Sequence, residues 1–260
     1  MRLKRLFVMS ALVLCCSLAA ATASAKHRGE GYNIVFIGNS ITYGAEHAEP
    51  ARTAPPVSAA VYAARMTGAE VNYRNCGRSG ATTYDFLPEY NRYFPRVERA
   101  VEELKAQNGA ATMVFSIMLG TNDSASTATT GAPVSNENYE RNLMTIINRL
   151  REMCPGAIFV LQRPIWYSPN TYNGAMYLAA GLRRLVGYTD VLEAIAAAND
   201  DIYMGDTEGF DFFRKRHESL LVAEDGNAGT FYLHPNEKGA RKLARLWARA
   251  IADAAEAAGR

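Results

Sequence analysis

Ile34-Val35-Phe36-Ile37-Gly38-Asn39-Ser40-Ile41-Thr42-Tyr43-Gly44 is the stretch that decides the reading of this 260-residue chain. Its first four residues are a short apolar, β-branched run of the kind that forms a buried strand, and Gly38 ends it abruptly. A serine just beyond the carboxyl end of such a strand stands on the rim of a sheet, where open α/β folds place their ligands. There the Ser40 hydroxyl is exposed to a substrate and open to approach by a base. A candidate base stands near the other end of the chain, His234 in Leu233-His234-Pro235-Asn236. An alcohol and an imidazole within reach of each other are the core of a serine hydrolase.

Outward from that stretch, strand and helix patterns alternate. Val71-Asn72-Tyr73-Arg74 reads as a second strand, Thr112 to Met118 as a third, Ala157 to Leu161 as a fourth and Ile202 to Met204 as a short fifth. Helical patterns fill residues 54–67, 93–107, 136–153, 173–198 and 236–256. Leu143, Ile146, Ile147 and Leu150 recur at helical spacing, and Pro155-Gly156 stops that helix before the fourth strand. Alternation of this kind predicts an α/β protein: a three-layer α/β/α sandwich of flavodoxin-like type, with a central parallel sheet of about five strands. There is no internal repeat, and Ser124 to Thr130 is too short a polar loop to divide domains.

Residues 1–25 read as a secretory signal peptide. Arg2, Lys4 and Arg5 form a basic start, Leu6 to Ala20 an uncharged apolar run, and Ala23-Ser24-Ala25 a small-x-small cleavage pattern. The apolar run is shorter than the roughly 20 residues of a spanning helix. Leu14 stands before Cys15 where a lipoprotein would place a small residue, so a soluble exported protein, periplasmic or secreted, is expected. The remaining chain, 26–260, suits one large domain. Three of the 28 Lys and Arg residues lie in the leader, leaving 25 against 26 Asp and Glu. With a net charge near −1, no strong positive field remains to attract nucleic acid or anionic membranes. The partner expected is a small-molecule or glycan ester, without stable membrane insertion once the leader is removed. Cys76 follows one strand and Cys154 precedes another, at opposite edges of a parallel sheet, so two free thiols are expected.

Two further glycine-containing segments follow strands and converge on the edge that carries Ser40: Asn75-Cys76-Gly77-Arg78-Ser79-Gly80-Ala81-Thr82-Thr83 and Gly120-Thr121-Asn122-Asp123. With these in place the sequence resembles the SGNH hydrolases, the superfamily of the GDSL-type esterases and lipases. Gly38-Asn39-Ser40 resembles the first block of that family, with Asn where many members have Asp. Ser79-Gly80-Ala81-Thr82 resembles the second, Gly120-Thr121-Asn122-Asp123 the third and His234-Pro235-Asn236 the fifth. The blocks stand in family order across almost the whole of residues 26–260. The resemblance implies the SGNH fold, Ser40 as nucleophile, His234 as general base, and an oxyanion hole from the Ser40 N–H, the Gly80 N–H and the Asn122 side-chain amide. Physical chemistry agrees, since glycine lets backbone approach a ligand closely and an Asn amide is a suitable oxyanion donor. No metal or organic cofactor is implied: His and acidic residues do not cluster at metal-ligand spacing, and no glycine-rich phosphate loop is present.

The pattern breaks three residues before His234, where the family commonly has Asp and this chain has Phe231. Three readings are open. A backbone carbonyl, that of Phe231 or another, accepts the Nδ1 proton in a Ser-His dyad. Another acid takes the place of the Asp, with Asp225, Glu224 and Asp206 the nearest. Or the protein is a weak or inactive relative. Arg163-Pro164-Ile165-Trp166-Tyr167 also reaches the site edge, where with Tyr172 it supplies either an aromatic wall for a sugar ring or loop packing. His47 and His217 read as surface residues. The function expected is an exported serine esterase that removes O-acetyl groups, on carbohydrate by analogy with exported relatives. A lipase or thioesterase of the same fold and a non-catalytic carbohydrate-binding relative are the alternatives.

Overall fold

The computed structural model describes residues 31–259, so the leader expected at 1–25 lies outside the described residues. A five-stranded sheet forms the centre, in the order β2-β1-β3-β4-β5. Its strands are β1 (Tyr32–Gly38), β2 (Val71–Asn75), β3 (Thr112–Met118), β4 (Ile158–Leu161) and β5 (Ile202–Met204), all parallel. These match the strands expected from sequence to within two residues at any end. Ile34, Val35, Phe36 and Ile37 are fully buried, as a central strand covered on both faces requires.

The helices are α1 (Ser40–Tyr43), α2 (Pro50–Thr53), α3 (Pro55–Thr67), α4 (Phe94–Gln107), α5 (Asn136–Met153), α6 (Leu178–Ala197), α7 (Gly209–Leu220) and α8 (Glu237–Ala258). The connection from β1 to β2 runs one way across the sheet and those from β2 to β5 run the other. Right-handed crossovers therefore place α3 on one face and α4, α5 and α6 on the opposite face. The last helix, α8, returns to pack with α3 and against β3 and β4. Its Leu243, Ala244, Trp247, Ala248 and Ile251 are buried, and Trp247 stacks on Phe36 with ring centroids 6.0 Å apart. Each large apolar side chain buried in this way contributes about 1.5–3 kcal/mol. Helix α6 begins at Leu178, not at residue 173 as the sequence pattern suggested.

The sequence pattern had no counterpart for the short helices α1 and α2, for α7, or for an antiparallel hairpin of β6 (Leu221–Gly226) and β7 (Gly229–Pro235). The hairpin brings His234 back to the sheet edge. Cys76 and Cys154 are free and buried, the first just after β2 and the second before β4. No described helix is long and apolar enough to cross a membrane.

Candidate active site

The sheet order reverses direction between β1 and β3, and the carboxyl ends of that pair form the crevice where open α/β sheets bind ligands. Ser40 follows β1 and Asn122 follows β3, so both stand at this switch point. Ser40 opens the single turn α1. Asn39 caps that turn, its Oδ1 accepting the Ile41 N–H at 3.0 Å, and Gly44 closes it with φ +89°. Gly38 is required by close approach: a Cβ there would lie 2.0 Å from Thr42 Oγ1 and 2.9 Å from the Met118 carbonyl oxygen.

His234 Nε2 lies 2.9 Å from Ser40 Oγ, across 194 residues of sequence. On the other side of the ring, Nδ1 lies 2.9 Å and 3.0 Å from the two carboxylate oxygens of Glu224. The same carboxylate accepts the His234 backbone N–H at 3.1 Å. Glu224 thus holds the orientation of the imidazole and favours the tautomer with its proton on Nδ1, with Nε2 turned to Ser40 Oγ. Of the acids named from sequence, Glu224 is the one that stands at His234 Nδ1. Asp225 is exposed towards the hairpin tip, opposite Thr230. Asp206 accepts the N–H groups of Glu208 and Gly209 at the start of α7. Phe231 sits across the hairpin from Glu224 with its ring buried.

The second and third glycine segments are tied to Ser40 and to each other. Cys76 N–H donates to the Phe36 carbonyl at 2.8 Å and Arg78 N–H to that of Gly38 at 3.0 Å, laying the second segment along the end of β1. Asn122 Nδ2 donates to the Ala81 carbonyl at 2.8 Å, which places the amide beside Gly80. Gly80 has φ +76°, and a Cβ there would meet nothing within 4 Å. Its glycine therefore serves the left-handed backbone on an open rim. Among the described residues no carbonyl takes the Gly80 N–H, and the Ser40 N–H is one of those a helix start leaves unpaired. The buried Asp123 braces the two loops by accepting from Thr83 N and Gly120 N at 2.9 Å and 3.1 Å. Burial pushes its carboxyl up to about 6, against these donors.

The segment after β4 does not form an aromatic wall. Trp166 and Tyr167 are buried, and the loop anchors β7 instead: Ser168 N–H donates to the Tyr232 carbonyl and Tyr232 N–H to Ser168 Oγ, each at 2.9 Å. His47 and His217, read as surface residues, are both half-buried. His47 Nε2 donates to the Pro235 carbonyl at 3.0 Å, next to His234. His217 packs its ring against Trp166 and Tyr232, with centroids 5.1 Å and 4.8 Å away. The fold also corrects the expectation that His and acidic residues stay apart: ligating atoms of Glu46, Glu224 and His234 lie within 4.8 Å of one another. Within that group Glu224 and His234 satisfy each other, and Glu46 is one further, exposed carboxylate beside them.

The sequence profile of the GDSL-like lipase/acylhydrolase family matches residues 36–242. Among solved structures the chain is similar to an acetylxylan esterase from Geobacillus stearothermophilus, at 21% identity and a TM-score of 0.59, covering 86% of this chain and 95% of that one. It is also similar to an α/β hydrolase enzyme from the metagenome of Lake Arreo, Spain (22% identity, TM-score 0.57, 89% and 96% covered). A lipase/acylhydrolase from Enterococcus faecalis is similar at 20% identity and a TM-score of 0.56, with 85% and 96% covered. Likeness at these identities concerns the fold. Among curated proteins the sequence has no significant match.

Proposed function

The chain belongs to the GDSL-like lipase/acylhydrolase family and is a serine ester hydrolase, and from that premise we propose that Ser40, His234 and Glu224 form its catalytic triad and that it removes O-acetyl groups from carbohydrate. The observation that carries the triad is the unbroken line from Ser40 Oγ through the two ring nitrogens of His234 to Glu224. Ser40 Oγ attacks the ester carbonyl while His234 Nε2 takes its proton. The tetrahedral oxyanion is received by the N–H groups of Ser40 and Gly80 and by Asn122 Nδ2. Collapse expels the alcohol, protonated by the imidazolium, and leaves acyl-Ser40. Water, deprotonated by His234, then attacks the acyl carbonyl and releases the acid. Glu224 keeps Nδ1 protonated throughout and stabilises the imidazolium formed at each step.

The carbohydrate substrate rests on the likeness to an acetylxylan esterase, which is an analogy of fold. Export, to the periplasm or beyond the cell, rests on the basic, apolar and small-residue pattern of residues 1–25. The test is hydrolysis of 4-nitrophenyl esters of two, four and eight carbons and of an acetylated xylooligosaccharide, beside Ser40→Ala and His234→Ala. Acetyl preference and release from the oligosaccharide, both lost in either variant, are expected. Preference for the longest acyl chain would redirect the reading to a lipase, and an inactive parent would leave a binding protein. N-terminal sequencing of the protein recovered outside the cytoplasm should begin at Lys26.

A further inference from the structure

Asn122 is held by a second hydrogen bond that the reaction above does not use. Its Oδ1 accepts from the hydroxyl of Tyr177. Both residues are buried, 3% exposed each. With Oδ1 engaged by Tyr177 and one Nδ2 hydrogen given to Ala81, a single amide hydrogen is left unassigned. We infer that Tyr177 is a positioning residue, whose O–H sets the orientation and the donor strength of the Asn122 amide.

A flipped amide would set Oδ1 against the Ala81 carbonyl, acceptor against acceptor, and would take the remaining N–H away from its site. Hydrogen bonding to the amide oxygen also polarises the group and makes its N–H a stronger donor, an effect enlarged where water is excluded. Tyr177 suits the task because burial raises its pKa above the ordinary tyrosine value, so the hydroxyl keeps its proton at neutral pH. Its placement is over-determined. The ring packs edge-on against Tyr167 at 5.2 Å, and the Tyr167 hydroxyl lies 2.9 Å from Ser124 Oγ, two residues after Asn122. The Tyr177 carbonyl accepts the Gly181 N–H at 2.7 Å. The next residue, Leu178, has φ +52°, a left-handed backbone that a leucine adopts only under constraint. That strained step, at the start of α6, presents Tyr177 to the loop after β3.

The inference rests on the proposed role of Asn122 as an oxyanion donor, and the experiment separates the two. Tyr177→Phe keeps the ring and its packing. Measured on the full chain with 4-nitrophenyl acetate, it is expected to lower kcat about five- to tenfold with KM within about twofold. In an Asn122→Ala background the same substitution should change nothing further, a non-additivity that general loosening of the fold would not produce. The rate at which a fluorophosphonate labels Ser40 reads the same four proteins independently of ester turnover. Equal losses in both backgrounds, or none in the parent background while Asn122→Ala is strongly impaired, would overturn the role of Tyr177. An Asn122→Ala enzyme as fast as the parent by both readouts would overturn the oxyanion reading and this inference with it.

Discussion

Glu224 on β6 reaches His234 on β7, its carboxylate oxygens 2.9 Å and 3.0 Å from Nδ1. The acid comes from the neighbouring strand, ten residues before the histidine, and not from the position three residues before it, which is Phe231 on β7. A hairpin delivers two such side chains to one place because its strands are hydrogen-bonded to each other. The chemistry of a triad depends on where the carboxylate arrives and not on the chain direction it arrives from.

Glu224→Gln keeps the size of the side chain but replaces the carboxylate that stabilises imidazolium. A fall in kcat/KM of about 10³- to 10⁴-fold is expected on 4-nitrophenyl acetate, with the folded state intact by circular dichroism. Activity within tenfold of the parent would mean that His234 works without an acid.

Asn122→Ala removes one donor from the developing oxyanion. The expected loss is about 10²- to 10³-fold in kcat with little change in KM, because the interaction strengthens only as charge builds on the substrate oxygen. A loss confined to KM would assign Asn122 to substrate binding.

Asp206 links stability to pH. Burial pushes its carboxyl from 3.8 up to about 6, against the opposing pull of the Glu208 and Gly209 N–H groups. Below the unfolded value the group is protonated in both states and its share of stability is complete. That share is lost as pH rises through about 6 and the buried carboxyl ionises, at most about 3 kcal/mol for a shift of this size. Asp206→Asn has no proton to lose, so its unfolding free energy in urea should rise relative to the parent between pH 4 and pH 7. Parallel curves for the two proteins would refute the assignment.

Cys76 and Cys154 should be inert in the folded protein. Burial pushes the Cys76 thiol up to about 12 and raises that of Cys154 as well. The thiolate is the reactive form, so iodoacetamide at neutral pH should label neither until the chain is unfolded in denaturant. Rapid labelling of the native protein at either position would contradict the burial.

The central sheet was legible because its signals are local. An apolar run ending in Gly38, the helical spacing of Leu143 to Leu150 and the stop at Pro155-Gly156 each lie within a few turns of chain, and each marks a real boundary. The hairpin left a fainter trace. Asp225-Gly226 and Gly229 flank a two-residue connection between apolar stretches, the spacing of a tight β turn, and that signal was there to be read. Tyr177 left none. The run Ala175-Met176-Tyr177-Leu178 looks like helix interior, while the backbone reverses hand at Leu178 and α6 starts only there.

The sequence by itself determined the α/β alternation, the serine beyond β1, the two loops that flank it and the histidine that returns to it. Only the tertiary structure decided which acid stands beside His234, that Trp166 and Tyr167 pack inward, and that Tyr177 holds Asn122. The two sets differ in range. Strand ends, caps and turns are written in neighbouring residues, whose steric preferences act on the spot. The Glu224–His234 contact depends on hairpin register, and the Tyr177–Asn122 bond joins residues 55 apart. Such contacts exist only after several packed elements have fixed where each side chain ends, and that sum of constraints has no signature in any one stretch of the chain.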